Sequence, residues 1–512
     1  MSANTPDTQA AAGVFAAVDI GASSGRVILG RMGPGGLALE TVHRFPNGVR
    51  EVDGALRWDL PGIFEEVLSG LTLAAARAAE GGERIVSIGI DTWAVDYALL
   101  DADGELAALP HSYRDDRTDA VVPLVHRKIA EDRLYEVTGL QHLPFNTLYQ
   151  LAAEANLDGM QALLIPDLLA FWLTGKRRTE QTNASTTGLF DAVAGEWATE
   201  FLSELGLPEN LFPELVAPGQ TVGWLLPAVV ARTGLPAGTP VVAVGSHDTA
   251  SAVAAVPALQ PGFAYVSSGT WSLAGIELAH PVLTEASRRA NFTNERGVDS
   301  TIRYLRNVGG LWLLSESMRT WADAGLDLDL PDLLAAAELL PPGGPQIDAD
   351  SDEFIAPGNM PSRIRSAVAS GGGILPEDPA AVTRCILDSL AAAYARTLAR
   401  AGELSGQRID VVHIVGGGSQ NALLCRLTAD ATGLPVVAGP VEATALGNVL
   451  VQARAAGTVS GSLADLRRLV AESSATVTYQ PGTAGEAYRP AAGSSPTIRA
   501  LSSHSRADSA AS

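Results

Sequence analysis

Near the start of the chain stands the stretch Phe15-Ala-Ala-Val-Asp-Ile-Gly-Ala-Ser-Ser-Gly-Arg-Val-Ile-Leu29. Two apolar runs flank a turn of small residues, which is typical of two buried strands joined by a tight hairpin. A second stretch of the same form, Phe263-Ala-Tyr-Val-Ser-Ser-Gly-Thr-Trp-Ser-Leu273, follows in the other half of the chain. The repeat predicts two related domains that face each other across a ligand cleft, although two unrelated hairpins would leave the same pattern.

The sequence around these hairpins alternates short β-branched runs with longer Ala- and Leu-rich segments of helical periodicity. This alternation is typical of α/β layers around a central sheet, so we predict an α/β fold. The clearest predicted strands are 14–20, 85–91, 241–244, 263–267 and 411–415. The clearest predicted helices are 63–79, 383–403 and 420–432.

The predicted organisation is a first domain over residues 13–256 and a second over residues 257–488. The boundary is placed after the Ala-rich segment that ends at 256. Residues 1–12 and 489–512 are small and polar, with much Ser and Ala toward the C-terminus. Such composition supports no packed core, so both ends are expected to be disordered.

Composition narrows the class of ligand. With 512 residues, 46% of them hydrophobic and 18% charged, the chain can fill two cores. Its formal net charge of -22 argues against nucleic acid or an anionic membrane as a partner, because both attract basic surfaces. A small molecule is expected instead, and any phosphate site must be local, built from backbone amides, a metal ion or a few cations.

The two cysteines, Cys385 and Cys425, lie far apart and in no metal-ligand spacing. Neither a disulfide framework nor a zinc site is therefore predicted, and a reducing cytoplasm is the expected compartment. The first residues do not resemble a signal peptide, and no apolar run of about 18 residues is present. The sequence leaves a monomer or a small homo-oligomer open.

The first small-residue turn follows Asp19, which ends a buried-looking strand. Its amides are unobstructed and its side chains add donors, so it can cradle phosphate oxygens. Asp19 could then hold a hydrated Mg²⁺ ion that faces the same phosphates. An ordinary hairpin with a capping Asp remains the alternative. The turn consists of Gly21, Ala22, Ser23, Ser24, Gly25 and Arg26.

A second polar cluster, Asp91-Thr-Trp-Ala-Val-Asp96, follows another apolar strand. Open α/β sheets bind ligands at the carboxyl ends of their strands. A ring face with two carboxylates suits a polyhydroxylated ligand. The alternative is that Trp93 belongs to the core.

Asp248 is the predicted catalytic residue. It stands in Gly245-Ser-His-Asp-Thr249, after an apolar strand and before an Ala-rich helix. Phosphoryl transfer needs a carboxylate that orients the attacking hydroxyl and accepts its proton. A purely structural alternative is a helix N-cap formed by Ser246, Asp248 or Thr249.

Two further glycine-containing turns suit a nucleotide. Ser267-Ser-Gly-Thr270 mirrors the first turn and offers an amide and a hydroxyl, and Gly416-Gly-Gly418 lies between a strand and a helix. Asn421 takes the place of the third glycine in G-x-G-x-x-G, and no Walker A motif is present. ATP binding must therefore use another phosphate architecture.

Taken together, these segments resemble the FGGY-type carbohydrate kinase family, over about residues 15–488. Further matching segments are Leu143-Pro-Phe-Asn-Thr-Leu-Tyr-Gln-Leu151, Asn307-Val-Gly-Gly-Leu-Trp312 and Gly439-Pro-Val-Glu-Ala-Thr-Ala-Leu-Gly-Asn448. The resemblance implies an actin- and hexokinase-type fold, in which two ribonuclease H-like domains close over sugar and nucleotide. It is strongest to the branch that phosphorylates L-rhamnulose.

The resemblance also implies roles for single residues. Asp248 would be the general base, and Mg²⁺ would accompany ATP. The ATP contacts would be Ala22, Ser23, Ser24, Gly25, Arg26, Thr270, Gly417 and Gly418. The sugar contacts would be Ala94, His247, Asp248, Thr249 and Asn307. L-rhamnulose is the expected sugar; the alternatives are another ketose, such as L-fuculose or xylulose, and a catalytically inactive sugar sensor.

Two positions depart from the family pattern. Residue 94 is Ala where that branch carries Gly, so a methyl group would crowd a sugar packed on bare backbone. Residue 315 is Ser where a nucleotide-contacting Gln is usual, and its side chain is too short to repeat that contact.

Overall fold

The computed structural model of the protein describes residues 13–33 and 36–482, so the predicted disordered ends at 1–12 and 489–512 lie outside the described residues. The strands are β1 (Gly13–Ile20), β2 (Ser24–Gly33), β3 (Gly36–Pro46), β4 (Val49–Val52), β5 (Ala55–Trp58), β6 (Ile85–Thr92), β7 (Tyr97–Leu100), β8 (Gln161–Leu164), β9 (Thr179–Glu180), β10 (Phe190–Asp191), β11 (Glu196–Trp197), β12 (Leu215–Val216), β13 (Thr221–Trp224), β14 (Pro240–Val242), β15 (Phe263–Ser268), β16 (Ser272–Leu278), β17 (Thr293–Arg296), β18 (Ile302–Val308), β19 (Val411–Val415), β20 (Val436–Ala438) and β21 (Val477–Tyr479).

The α-helices surround and separate these strands. They are α1 (Leu60–Glu80), α2 (Val122–Lys128), α3 (Glu131–Thr138), α4 (Thr147–Ala152), α5 (Ile165–Thr174), α6 (Gln181–Ala184), α7 (Thr199–Leu205), α8 (Pro227–Thr233), α9 (Asp248–Ala254), α10 (Glu285–Arg289), α11 (Trp312–Asp323), α12 (Leu330–Glu338), α13 (Met360–Ser370), α14 (Pro379–Ser405), α15 (Ala422–Thr432), α16 (Ala443–Ala455) and α17 (Leu463–Ser473).

The first sheet has six strands in the order β13-β14-β6-β1-β2-β3. The predicted hairpin is confirmed, because β1 pairs with β2 in antiparallel register and places Asp19 opposite Arg26. On its other side β1 is parallel to β6, with Asp19 beside Asp91. The register therefore gathers charged residues at the carboxyl end of the central strands, where a ligand is expected.

The second sheet repeats this plan in seven strands, in the order β17-β18-β16-β15-β19-β20-β21. Strand β15 pairs with β16 as an antiparallel hairpin and runs parallel to β19. The predicted α/β class is confirmed, as are the predicted strands and helices, with the strand predicted at 241–244 observed as β14. Two sheets of matching topology face each other through their hairpin turns.

Helix α16 ties the two halves together. It lies after residue 257 in the chain, yet Asn448 and Gln452 on it bind Asp91 and the Ala16 carbonyl of the first sheet. Its close contact with α9 requires glycine, because a Cβ at Gly447 would lie 1.8 Å from the Ser251 carbonyl oxygen. One apolar core contains residues of α9, α16, α17 and both sheets. The division at 256/257 stays a prediction.

Cys385 and Cys425 are buried free thiols, and burial raises the pKa of each to about 12. Over residues 13–33 and 36–482, no helix is long and apolar enough to cross a lipid bilayer.

Candidate active site

A cleft of about 310 Å³ opens between the two sheets. The hairpin turn after Asp19 forms one wall, and the turn around Thr270 forms the opposite wall. Eleven of the residues predicted from the sequence line it, namely Asp19, Ala22, Ser23, Arg26, Ala94, His247, Asp248, Thr249, Thr270, Asn307 and Gly417. The fold thus brings together segments that are separated by up to several hundred residues.

Three predicted nucleotide contacts do not line this cleft. Ser24 is exposed outside it. Gly25 lies against the ring of Phe45, where a Cβ would come within 2.2 Å of a ring carbon. Gly418 lies against Ser268, where a Cβ would come within 2.0 Å of the hydroxyl oxygen. Packing inside the protein therefore explains both glycines.

Arg26 is held between two carboxylates at the edge of the cleft. Its Nε and Nη2 donate to Asp19 Oδ2 at 3.0 and 2.8 Å, and its Nη1 lies 2.5 Å from Glu442 Oε2. Glu442 precedes α16, so this ion pair connects the first hairpin to the C-terminal half of the chain. Arg26 is a local cation of the kind that an acidic protein needs in order to bind phosphate.

Three carboxylates converge below this arginine. Burial raises the pKa of Asp91 well above its ordinary value, and the negative charges of Asp19 and Asp248 raise it further. Asn448 donates to Asp91 Oδ2 at 2.5 Å, while the buried Asp91 Oδ1 has no hydrogen-bond partner among the described residues. The site therefore concentrates negative charge where a cation would relieve it.

The carboxylates of Asp19, Asp91 and Asp248 suit a bound Mg²⁺ ion only in part. No group of three or more His, Cys, Asp or Glu side chains is arranged around a possible metal position in the described part of the chain. Mg²⁺ usually binds one or two carboxylates together with waters and substrate phosphates. One Asp19 oxygen carries both Arg26 bonds, which leaves Oδ1 for such a hydrated ion.

Asp248 begins helix α9 at the floor of the cleft. The N-cap alternative is not supported, because His247 occupies the N-cap position and makes no side-chain cap hydrogen bond. Asp248 Oδ1 instead accepts from the amide and hydroxyl of Thr249. A third of the Asp248 side chain is exposed, toward the cleft. Burial within the cleft raises the pKa of Asp248, and the charge of Asp19 adds to the effect while His247 opposes it.

A buried carboxylate missed by the sequence reasoning holds the loop before Asp248. Glu180 Oε2 accepts from the amide and hydroxyl of Ser246, at 3.1 and 2.7 Å. The same carboxylate accepts the amides of Thr182 and Asn183 and the Thr182 hydroxyl. Burial raises the pKa of Glu180, and the hydrogen bonds from Thr182 and Ser246 offset only part of this rise. The only signal in the sequence was an acidic residue placed to cap a short helix.

The second polar cluster divides between core and cleft. Trp93 packs on Trp58 with ring centroids 4.3 Å apart, and both indoles donate to Asp96, so the core alternative is correct for these groups. Burial raises the pKa of Asp96 to about 6. Only the neighbouring Ala94 and Val95, with a small part of Trp93, reach the cleft.

Val95 adopts a left-handed conformation with φ +67°, which is unusual for a β-branched residue. The Thr147 hydroxyl donates to the Val95 carbonyl at 2.7 Å and stabilises this turn. On the facing wall, Gln141 Oε1 accepts from the amide and side chain of Asn307 at 2.9 and 3.0 Å. Gln141, also missed from the sequence, thus orients a predicted sugar contact across the two halves.

Family models give an independent result for this arrangement. The model for the N-terminal domain of the FGGY family of carbohydrate kinases matches residues 14–255. The model for the C-terminal domain of that family matches residues 264–456. The chain belongs to the FGGY family of carbohydrate kinases. Phosphorylation of a carbohydrate by ATP, predicted from the motifs, is therefore confirmed at the level of the family.

Named relatives agree with this assignment. The FGGY kinase is similar to a rhamnulokinase of Bacteroides thetaiotaomicron, with 44% identity over 473 residues, 91% of this chain and 96% of the relative. A rhamnulokinase of Klebsiella pneumoniae is 42% identical over 482 residues, 92% of this chain and 96% of the relative. Among solved structures, a gluconate kinase from Lactobacillus acidophilus superposes with a TM-score of 0.74 at 16% identity, covering 92% of this chain and 94% of that one. The predicted actin- and hexokinase-type fold is confirmed.

The Glu180→Gln variant of the FGGY kinase tests the anchoring of the Asp248 loop. An uncharged amide weakens the bonds to Ser246, so we expect the free energy of unfolding to fall by about 1–3 kcal/mol. A displaced Asp248 lowers kcat by up to about 100-fold. Thermal unfolding and steady-state kinetics measure the two effects.

Glu277→Gln is the matched control, because Glu277 accepts from Arg467 and Thr301 away from the cleft. It should lose stability without losing kcat. A Glu180→Gln enzyme with the turnover of this control would contradict the anchoring role.

Proposed function

We propose that this kinase transfers the γ-phosphoryl group of ATP to the primary hydroxyl of L-rhamnulose, giving ADP and L-rhamnulose 1-phosphate. The observation that carries the proposal is the place of Asp248, on the cleft floor between the two small-residue turns and the wall that contains Ala94 and Asn307. The two rhamnulokinases that match nearly the whole chain support the choice of sugar.

Asp248 is the proposed general base. It accepts the proton of the sugar hydroxyl as the oxygen bonds to the γ-phosphorus, and the bond from that phosphorus to the bridging oxygen breaks to release ADP. A raised pKa makes this carboxylate a better proton acceptor than an ordinary aspartate. A group exposed only to the cleft also loses solvent when sugar binds, which strengthens its hydrogen bond to the hydroxyl.

The phosphates of ATP are assigned to the two facing turns. Arg26 and the residues Ala22 and Ser23 contact them from the first sheet, and Thr270 and Gly417 contact them from the second. Mg²⁺ bound near Asp19 would neutralise charge on the phosphates during transfer. Ser24, Gly25 and Gly418 do not line the cleft, and their predicted contacts with the nucleotide stay untested. Ser315 is exposed and lies outside the cleft.

An apolar part of the cleft supports a deoxysugar. Tyr113, Leu143 and Phe145 line the cleft, and they suit a methyl group better than a hydroxyl. L-rhamnulose and L-fuculose both carry such a methyl at C6, whereas xylulose and glycerol do not. Xylulose therefore becomes the weaker alternative on this ground. A sugar sensor without activity is disfavoured because Asp19, Arg26 and Asp248 are all present in the cleft.

The reaction is placed in the cytoplasm, where ATP is abundant. Both a monomer and a small homo-oligomer are compatible with the proposal, because the cleft residues named above come from one chain.

A panel of sugars tests the choice of substrate. We expect ADP release to show a higher kcat/KM for L-rhamnulose than for L-fuculose, D-xylulose, L-ribulose and glycerol. In Ala94→Gly the missing methyl widens the cleft, and a change of this size alters discrimination between sugars by about 10–200-fold. Preference for another ketose in the unaltered enzyme would contradict the named sugar. Absence of ADP release with every sugar would favour the catalytically inactive sugar sensor.

Asp248→Asn tests the general base. The amide preserves shape but accepts no proton, so we expect kcat to fall by about 10²–10⁴-fold while ATP binding and thermal unfolding stay the same. Asp332→Asn, the same exchange in the first turn of α12 and far from the cleft, is the matched control. Turnover in Asp248→Asn equal to that of the control would remove Asp248 from this role.

A further inference from the structure

Arg303 is a fully buried cation directly behind the cleft. It lies on β18 with no exposed side-chain surface. Its Nη2 is 3.1 Å from His247 Nδ1, its Nη1 is 3.0 Å from Glu295 Oε2, and its Nε donates to the Arg296 carbonyl at 3.0 Å. The guanidinium thus faces an imidazole and a carboxylate at the same time.

The charge of Arg303 is balanced by Glu295 on β17. Burial raises the pKa of Glu295, but the neighbouring Arg303 guanidinium lowers it, and the pKa ends below its ordinary value. Glu295 therefore stays ionised and can only accept hydrogen bonds. A buried pair of this kind is stable only when both partners are kept, since removing one leaves an uncompensated charge.

The contact between Arg303 and His247 determines where the imidazole carries its proton. A guanidinium is always protonated and has no acceptor, so a nitrogen that faces its N–H must offer a lone pair. His247 Nδ1 is that nitrogen, which puts the proton on Nε2. Glu295 Oε2 also lies 3.2 Å from Nδ1, but it makes no hydrogen bond to that nitrogen among the described residues.

The other ring nitrogen points toward the reacting groups. His247 Nε2 lies 3.5 Å from Asp248 Oδ1, which is too far for a good hydrogen bond. The Nε2 proton is therefore available to a ligand in the cleft. His247 offers a donor beside the acceptor that Asp248 offers.

We propose that Arg303 is a positioning residue that fixes the His247 proton on Nε2, so that His247 donates a hydrogen bond to an oxygen next to the hydroxyl that is phosphorylated. This inference rests on the proposed function, and it extends that function to a substrate class. A donor next to an acceptor fits a hydroxyl whose neighbouring carbon bears an acceptor oxygen, as at C1 and C2 of a 2-ketose.

The opposite tautomer defines the result that would overturn the proposal. With the proton on Nδ1, His247 would donate to Glu295, and an N–H of Arg303 would face another N–H. Nε2 would then accept a hydrogen bond rather than donate one. The cleft would favour a sugar with a second hydroxyl that donates to Nε2.

Nitrogen NMR of the full-length enzyme with isotopically labelled histidine separates these states. Comparison with His247→Asn assigns the His247 signals among the eight histidines of the chain. We expect Nδ1 to resonate as an unprotonated nitrogen and Nε2 as a protonated one. Protonated Nδ1 overturns the proposal. This spectrum does not require the enzyme to turn over. Its result is therefore independent of the proposed sugar kinase reaction, which the panel of sugars tests.

Arg303→Lys tests the consequence for the sugar. A lysine has a compact charge and cannot hold His247 and Glu295 in one planar fork. We expect the KM for L-rhamnulose to rise by about threefold to tenfold, from loss of the hydrogen bond between His247 and the sugar, with the KM for ATP unchanged and His247 in mixed tautomers.

Arg467→Lys is the matched control. Arg467 is also a buried arginine, paired with Glu277 at 2.7 Å, and it does not line the cleft. It should lower thermal stability without changing either KM. A KM for the sugar in Arg303→Lys that equals the value in this control overturns the proposal. The spectrum of the unaltered enzyme decides the matter if Arg303→Lys does not fold.

Discussion

The position of Asp248, the proposed general base, depends on a carboxylate that lies outside the cleft. Glu180 gathers five donors, two of which belong to Ser246, two residues before Asp248. Helix α9 starts from this fixed point and packs against α16, where only glycine fits at position 447. Because α16 also binds the first sheet through Asn448, the loop, the helix and the sheet form one continuous support.

A protein with a net charge of -22 repels a triphosphate at long range, so favourable charge is needed within the cleft. Arg26 supplies a cation that Asp19 and Glu442 hold in place at the edge of the cleft. Burial and the charge of Asp19 raise the pKa of both Asp91 and Asp248, an effect that a bound cation would offset. A nucleotide that brings its own Mg²⁺ would complete this balance, which suits a site with few ligands of its own.

The side of the cleft that we propose binds the sugar holds its residues in fixed orientations through buried hydrogen bonds. Gln141 fixes Asn307, and Thr147 fixes the strained backbone at Val95. Arg303 and Glu295 enclose His247. Each of these partners is buried, so each orients a cleft residue without competing with water. This arrangement gives the sugar a rigid set of donors and acceptors.

Sequence reasoning reached the elements whose signal is local. The strands around Asp19 and Ser267, the long helices and the loop at Asp248 follow from periodicity and small-residue turns. It missed Glu180 and Arg303, because their partners lie 66 and 56 residues away along the chain. The nucleotide contacts predicted at Gly25 and Gly418 stay predictions, since both glycines are also needed for packing against Phe45 and Ser268, which a sequence does not show.

We propose that the two sheets and Asp248 direct one phosphoryl group to one hydroxyl. Proton–phosphorus correlation NMR of the product formed from L-rhamnulose and ATP tests this proposal most directly. We expect a single sugar phosphate in which the phosphorus couples to the two protons at C1. Phosphorus coupled to a proton at another carbon, or release of inorganic phosphate with unmodified sugar, would contradict it.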